Sequence, residues 1–381
     1  MNDELRNRIS AEAVRIGEEM LSMAEHDDYG MFWKTMSLDA NQKISWIVSE
    51  SIYSGVSGIC LFYIELYKQT KNEKYLHAAV EGMGWVDQHC QNNPSQYYAF
   101  YTGRMGVTFA MIKMYEALND KSYLEKALRI AQPCESFLKE FHCDDLLNGI
   151  AGTILGLLHL HAATNEDWLV EKIDLFTGHL IDKAHHGPVG LYWDRSHNNI
   201  RGLCGFSHGS AGIGFVFLEL GSYFQNDAFN WIADQAFAYE NHWYDEKVNN
   251  WPDFRKGVWQ PGDRERFEKA YLENDKNFFT QVGDMNAWCH GAAGIGLSRL
   301  RGYELLGKYS EDIDRAIQKT TATHVNTENM NMTYTLCHGG GGNADLFLQA
   351  FQFQNQDRYL EPAERVAANA LQSRKERGFY Q

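Results

Sequence analysis

The sequence predicts an all-α protein of the α/α toroid class, with an inner ring of buried helices wrapped by an outer ring of amphipathic ones. Three observations carry that expectation. A Gly-x-x-Gly element occurs six times, with its first glycine at Gly55, Gly103, Gly149, Gly209, Gly291 and Gly339. The intervals are 46 to 48 residues, apart from two of 60 and 82, which fits a base period of roughly 47 with two insertions. Each element is followed by an almost wholly apolar run, such as Ile150 to Leu160 or Ile213 to Phe224. Helices that are hydrophobic on every side are buried ones. The third observation is that segments with one apolar stripe and many charges lie between these runs. Only 6 prolines in 381 residues leave room for long helices, since proline inside a helix removes a donor and clashes with the preceding turn.

The striped segments place outer helices near residues 4–25, 73–91, 121–141, 166–184, 226–243, 309–322 and 357–373. In the third of these, Leu124, Leu128, Phe137 and Leu138 fall at helical spacing, and Pro133 is expected to kink it. Seven outer helices thus face six inner ones. A seventh inner helix would begin where the sequence stops, at Gly378-Phe379-Tyr380-Gln381. The expectation is a toroid missing that helix: the ring is open, another element fills the gap, or a C-terminal piece is lacking. The two long intervals hold inserts near 185–205 and 244–288. The first carries Gly187-Pro188-Val189-Gly190 and Leu191-Tyr192-Trp193, a turn and a short strand. The second carries Asn250-Trp251-Pro252-Asp253-Phe254, and its length suggests a lid or wall of a cleft. No low-complexity linker interrupts residues 1–381, so one domain is expected.

A formal net charge of −15 argues against a nucleic-acid partner, which calls for a basic stripe. The start of the chain is polar and lacks the apolar core of a signal peptide. No run approaches the roughly 18 apolar residues of a membrane span. A cytoplasmic protein is the expectation. Its seven cysteines are odd in number and scattered, unlike a disulfide framework. Cys60, Cys90, Cys134, Cys143 and Cys204 read as small buried hydrophobes.

The chemistry concentrates at three heads, Ser207-His208-Gly209, Cys289-His290-Gly291 and Cys337-His338-Gly339. Inner helices running in one direction would open their N-termini on one cavity, where the positive ends of their dipoles favour thiolates or an enolate. Cys289, Cys337 and His338 form a soft donor set suited to zinc. With His290 they would make a closed four-ligand site. Without it they would leave an open position for water, and two simply packed thiols are the plain alternative. His208 is a candidate general acid or base, set against the ordinary reading of a histidine satisfied by a backbone carbonyl. Asp144 and Asp145 are the carboxylates nearest another inner-helix start, where capping is their usual role.

Over most of its length the chain resembles the lanthionine synthetase C-like (LanC) cyclases. The resemblance rests on Trp288-Cys289-His290-Gly291, Cys337-His338-Gly339 with Asn343, and Gly205-Phe206-Ser207-His208-Gly209, in that family's order. Ala287 to Leu297 and Trp251-Pro252-Asp253 are most similar to the cyclase half of class II lanthipeptide synthetases. The resemblance implies an α/α toroid and a single zinc ion held by Cys289, Cys337 and His338, with a water completing the shell. It makes His290 a neighbour and alternative proton donor. It implies a catalytic role for His208, oriented by Asp145 in the pattern Asp145-Leu146-Leu147-Asn148-Gly149. Met285 stands where some members carry an arginine, so that residue's role does not transfer. The implied reaction is addition of a peptide cysteine thiol to a dehydroalanine or dehydrobutyrine. The implied partners are a dehydrated precursor peptide and a separate dehydratase. Two other readings fit the same heads: addition of glutathione to dehydroamino acids in proteins, and a zinc-containing peptide-binding scaffold without catalysis.

Overall fold

A computed structural model of the chain describes residues 3–38, 43–140, 143–194, 202–255, 262–273, 275, 285–325, 333–378 and 380. Its helices are α1 (Asp3–Ser22), α2 (Val56–Thr70), α3 (Glu73–Asn92), α4 (Arg104–Leu118), α5 (Ser122–Ala131), α6 (Ser136–Glu140), α7 (Ile150–Thr164), α8 (Asp167–Asp182), α9 (Ser210–Phe224), α10 (Asp227–His242), α11 (Asp263–Leu272), α12 (Ala292–Leu306), α13 (Ser310–Val325), α14 (Gly340–Gln354) and α15 (Asp357–Arg377). Three two-stranded antiparallel hairpins join them: β1 (Glu25–Asp27) with β2 (Gly30–Phe32), β3 (Thr35–Leu38) with β4 (Ile44–Ile47), and β5 (His185–His186) with β6 (Leu191–Tyr192). The all-α class expected from the repeat is the class observed. Among the described residues, no helix is long and apolar enough to cross a membrane.

The six apolar runs become α2, α4, α7, α9, α12 and α14, each 15 residues long and each capped by the first glycine of its element. Close approach explains the glycines better than backbone freedom does. A Cβ on Gly55 would stand 2.2 Å from the Ser49 carbonyl, and one on Gly294 would stand 1.9 Å from the Trp288 carbonyl. Any side chain there would push the incoming loop off the helix start. Gly291 is the exception, with a φ of 87° against roughly extended values at the other five caps, and it alone needs glycine for its torsion. All six helices end on a left-handed residue: Lys71, Asn119, Asn165, Gln225, Gly307 and Asn355. Two outer helices start on asparagine caps, Asn72 accepting from the Lys74 amide and Asn226 from the Ala228 amide.

The chain divides into two compact units. One comprises Ser10–Cys143 and Leu147–His179. Within it α2 packs on α4 and α4 on α7. The Tyr53 amide donates to the Tyr101 carbonyl at 2.9 Å, and Thr102 Oγ1 donates to Asn148 Oδ1 at 2.8 Å. Pro133 breaks the outer helix outright instead of kinking it: α5 stops at Ala131 and α6 resumes at Ser136. The hairpins β1–β2 and β3–β4 also lie here and were not expected. Alternation over such short runs is a weak signal, and Trp33, which follows β2, is buried and donates its indole N–H to the Met20 carbonyl at 2.8 Å.

The other unit comprises Met1–Ile9, Asp144–Leu146 and Leu180–Gln381. Here α9 packs on α12 and α12 on α14, while α10, α13 and α15 pack on these three in turn. Tyr239, Trp243, Trp251, Phe254, Leu300 and Leu346 are buried together in its core. The first insert forms the expected turn and strand. Gly190, at φ 74°, lets the hairpin lie on α10, where a Cβ would stand 2.2 Å from the Gln235 carbonyl. Residues 195–201 of this insert lie outside the described residues. In the second insert Asp245 bridges Asn250, Trp251 is buried, and the helix α11 follows. Residues 256–261, 274 and 276–284 lie outside the described residues.

Candidate active site

The three heads of this second unit are stitched by their main chain. The Ser207 amide donates to the Cys289 carbonyl at 3.2 Å, and the Cys289 amide donates to the Cys337 carbonyl at 3.1 Å. Ser207 Oγ adds a 3.2 Å bond to the same Cys289 carbonyl. Each residue stands two positions before its cap glycine, so the repeat itself aligns the heads. The N-termini of α9, α12 and α14 therefore come together, each with amide donors at its first turn.

Cys289 is buried and Cys337 half-buried. A hydrogen bond between the two thiols is the largest influence on Cys289, and with burial it pushes that thiol well above its ordinary range. Two thiols so placed resist ionising together, because the second negative charge would form beside the first. A cation is what would let both ionise. His338 is exposed and stands outside this pair. Among the described residues no three Cys, His, Asp or Glu side chains are gathered at metal-holding distances. The donor set nonetheless fits a soft divalent ion by type: two thiols in contact, and an imidazole next in the chain with room to turn.

His208 is half-buried, and its Nδ1 donates to Asp145 Oδ2 at 2.7 Å. A carboxylate accepts and does not donate, so the proton of that bond sits on Nδ1 and leaves Nε2 as the working nitrogen. Asp145 is buried, and it reaches His208 from the turn before α7. The ring of His290 lies 5.6 Å from that of His208. Its Nδ1 is 3.3 Å from the Cys204 carbonyl and 4.0 Å from Asp253 Oδ1. Burial pushes the His290 pKa down to about 4, so the ring is neutral at ordinary pH. A carbonyl can only accept, so Nδ1 carries the hydrogen there. Nε2 is then a bare lone pair, buried and without a partner among the described residues.

The structure thus brings His208, Asp145, His290, Cys289 and Cys337 to one place, with His338 at its exposed edge. Asn343 of the third motif is buried and donates from Nδ2 to the Asn286 carbonyl at 3.0 Å, while Asn286 Oδ1 accepts from the Ala293 amide at 2.9 Å. These bonds hold the Cys289 turn.

Three further residues were not anticipated. Glu240 of α10 is fully buried, and its Oε1 accepts from the Gly205 and Ala211 amides, each at 2.8 Å. Those amides bracket the turn that carries His208. Glu240 Oε2 accepts from Arg299 Nη2 at 2.8 Å, and Arg299 Nε donates to Asp312 Oδ2 at 3.2 Å. Burial pushes the Glu240 pKa up, and Arg299 and the two amides work against that rise. Asn250 does the corresponding work on the Cys289 turn, accepting from the Ala292 amide at 2.9 Å and donating to the Met285 carbonyl at 3.0 Å. Arg255 grips Asp253 through Nε and Nη2, and its Nη2 lies 3.0 Å from Met285 Sδ. One signal was readable in advance. Glu240 falls in register with Ala233, Ala236 and Phe237 on the apolar face of its helix, where a lone acid has to be satisfied from inside. Asn250 and Arg255 sit in an irregular insert, where spacing carries no such information.

A family model described as lanthionine synthetase C-like protein matches residues 47–381. Two relatives come from Lactococcus lactis subsp. lactis. The lacticin 481/lactococcin biosynthesis protein LcnDR2 is 24% identical over 353 residues, a match spanning 86% of this chain and 33% of that protein. The nisin biosynthesis protein NisC is 19% identical over 340 residues, covering 82% and 77%. This chain therefore spans about a third of LcnDR2 and most of NisC. Among solved structures, nisin cyclase superposes with a TM-score of 0.65 at 15% identity, covering 100% of this chain and 96% of that one. That likeness shows the fold.

Proposed function

We propose that this chain, which belongs to the lanthionine synthetase C-like protein family, closes thioether rings in a dehydrated precursor peptide. The thiol of a peptide cysteine adds to the β-carbon of a dehydroalanine or dehydrobutyrine in the same peptide. The observation that carries this reading is the thiol pair Cys289–Cys337 at two helix starts, beside a histidine held by a carboxylate. NisC and LcnDR2 are named for the biosynthesis of nisin and of lacticin 481/lactococcin, and a precursor peptide is the substrate class that family membership supports. Such a peptide has to arrive already dehydrated, so a dehydratase acts before this protein.

Cys289, Cys337 and His338 would hold one zinc ion, which when bound supplies the cation that keeps a substrate thiol deprotonated and nucleophilic. The other steps belong to the chain. Asp145 fixes the His208 tautomer and stabilises the imidazolium that forms when Nε2 takes up a proton. The same nitrogen can return that proton to the α-carbon after the thiol has added. His290 is neutral and offers an unpartnered lone pair at Nε2. It is therefore suited to accepting a hydrogen bond but not to carrying a proton, which burial disfavours, and the donor role implied by the resemblance passes to His208.

The test is incubation of purified protein and zinc with a dehydrated precursor peptide, followed by thiol alkylation and mass spectrometry. Ring closure protects cysteines from alkylation without changing the peptide mass. An outcome in which all cysteines stay alkylatable, or in which added glutathione is incorporated instead, would set ring closure aside.

A further inference from the structure

We infer that Arg255 binds the oxyanion that develops on the dehydro residue during ring closure, an inference that rests on the cyclase reading. In that step a sulfur lone pair forms the S–Cβ bond. The π pair of the Cα=Cβ bond shifts to join Cα to the carbonyl carbon, and the carbonyl oxygen takes the negative charge. A proton added at Cα then restores the carbonyl. Apart from the partial charge of the helix N-termini, no charged side chain described so far meets that oxygen. His208 serves the proton, and the two cysteines serve the thiol.

Arg255 has the geometry for it. Asp253 Oδ1 accepts from Nε at 2.9 Å and Asp253 Oδ2 accepts from Nη2 at 2.5 Å. The Arg255 amide also donates to Asp253 Oδ1 at 3.1 Å, so one edge of the guanidinium is locked to a carboxylate that is itself buried. Nη2 also lies 3.0 Å from Met285 Sδ, which sets the plane from the other side. Nη1 keeps two N–H donors with no partner among the described residues, on a side chain that is 39% exposed. Asn250 ties this strand of the insert to the Met285 carbonyl and to the first amide of α12. The free donors are therefore held at the helix start that carries Cys289, and charge on either Cys289 or Cys337 acts directly on the guanidinium. A planar, permanently charged fork with one edge pinned and the other open is how an oxyanion is received.

The test uses the full chain with zinc and has two arms. In the first, Arg255→Gln is expected to lower kcat for ring closure by about 10²- to 10³-fold. KM and zinc content should stay near wild type, and Arg255→Lys should recover part of the loss by keeping charge without the fork. The second arm needs no turnover. A peptide ends in a nitroalkane in place of the dehydro residue's carbonyl, and its deprotonated nitronate copies the enolate. Calorimetric titration should show wild type preferring nitronate over the neutral nitro form by roughly tenfold or more, a preference lost in Arg255→Gln. Equal preference in wild type and both variants overturns the inference, as does an effect confined to KM. If wild type binds the nitronate through Arg255 but closes no ring, the cyclase reading fails while the anion site stands.

Discussion

The Cys289 amide donates to the Cys337 carbonyl at 3.1 Å, so the two candidate ligand residues are joined through their main chain as well as through their thiols. The bond belongs to a repeated pattern. Ser207 donates to Cys289 in the same way, and in the other unit Tyr53 donates to Tyr101, always from the residue two positions before a cap glycine. The placement of the two cysteine backbones is thus set by helix packing and does not depend on a bound ion to create it.

Removing either sulfur should therefore empty the site without dismantling it. Cys289→Ala and Cys337→Ala are each expected to lose zinc and ring closure together while keeping the helical circular dichroism of wild type. Elemental analysis alongside the alkylation assay measures both. Full zinc in Cys337→Ala would sink the ligand assignment.

The proton machinery should separate cleanly from the metal. His208→Ala and Asp145→Asn are predicted to retain zinc and lose ring closure by about 10²- to 10⁴-fold, the usual range for a positioned acid or base. Asp145→Asn should also shift the pH profile, since the tautomer is no longer fixed by a charge. An unchanged rate in either variant would remove His208 from the mechanism.

Glu240→Ala should cost stability and disturb the site at once. It strips Arg299 of one of two buried acids and leaves the Gly205 and Ala211 amides without their acceptor. A loss of about 3–5 kcal/mol is expected from breaking a buried pair on one side, measurable by urea unfolding. A loss under about 1 kcal/mol would mean that water or a neighbour replaces the carboxylate.

Asp253 predicts an acid limit. Burial opposes its charge, but Arg255, joined by His290 once that ring is protonated in acid, outweighs this and holds its pKa below the usual carboxylate value. Its contribution to stability is therefore present above the unfolded value of about 3.9 and is lost as pH falls through the lower folded one. The stability of wild type should converge on that of Asp253→Asn through this acidic window. Parallel curves would show that the carboxylate's charge contributes nothing to the fold.

Two helix ends offer a gain. Lys71 and Gln225 occupy left-handed positions, at φ 56° and 52°, where the corresponding end of α12 has Gly307. Lys71→Gly and Gln225→Gly should each stabilise the protein by about 0.5–1 kcal/mol, since a side chain in this region carries a penalty that glycine escapes. Two higher unfolding midpoints with unaltered ring closure are the expected result, and a fall in either would put the strain elsewhere.

What could be read from the sequence divides along physical lines. The Gly-x-x-Gly heads were legible because at most of them, such as Gly55, Gly106, Gly212 and Gly294, a loop carbonyl lies within about 2 Å of where a Cβ would be, a demand that only glycine meets. The apolar runs were legible because a helix surrounded by helices cannot alternate. Asp145 could be placed beside His208 only through a family pattern, since no local periodicity brings residue 145 to residue 208. Arg255 and Asn250 act from a segment whose backbone has no repeat, so their contacts depend on packing that composition does not encode.

The uniform length of the six glycine-capped helices has one more consequence. Fifteen residues make each about 22 Å long, and α9, α12 and α14 carry the candidate site residues before one end and a left-handed cap at the other. Substitutions at the far end can raise or lower robustness with no path to the heads except along a rigid rod. These three helices can drift, or be engineered, for endurance at their far ends while the chemistry at their near ends stays under separate selection.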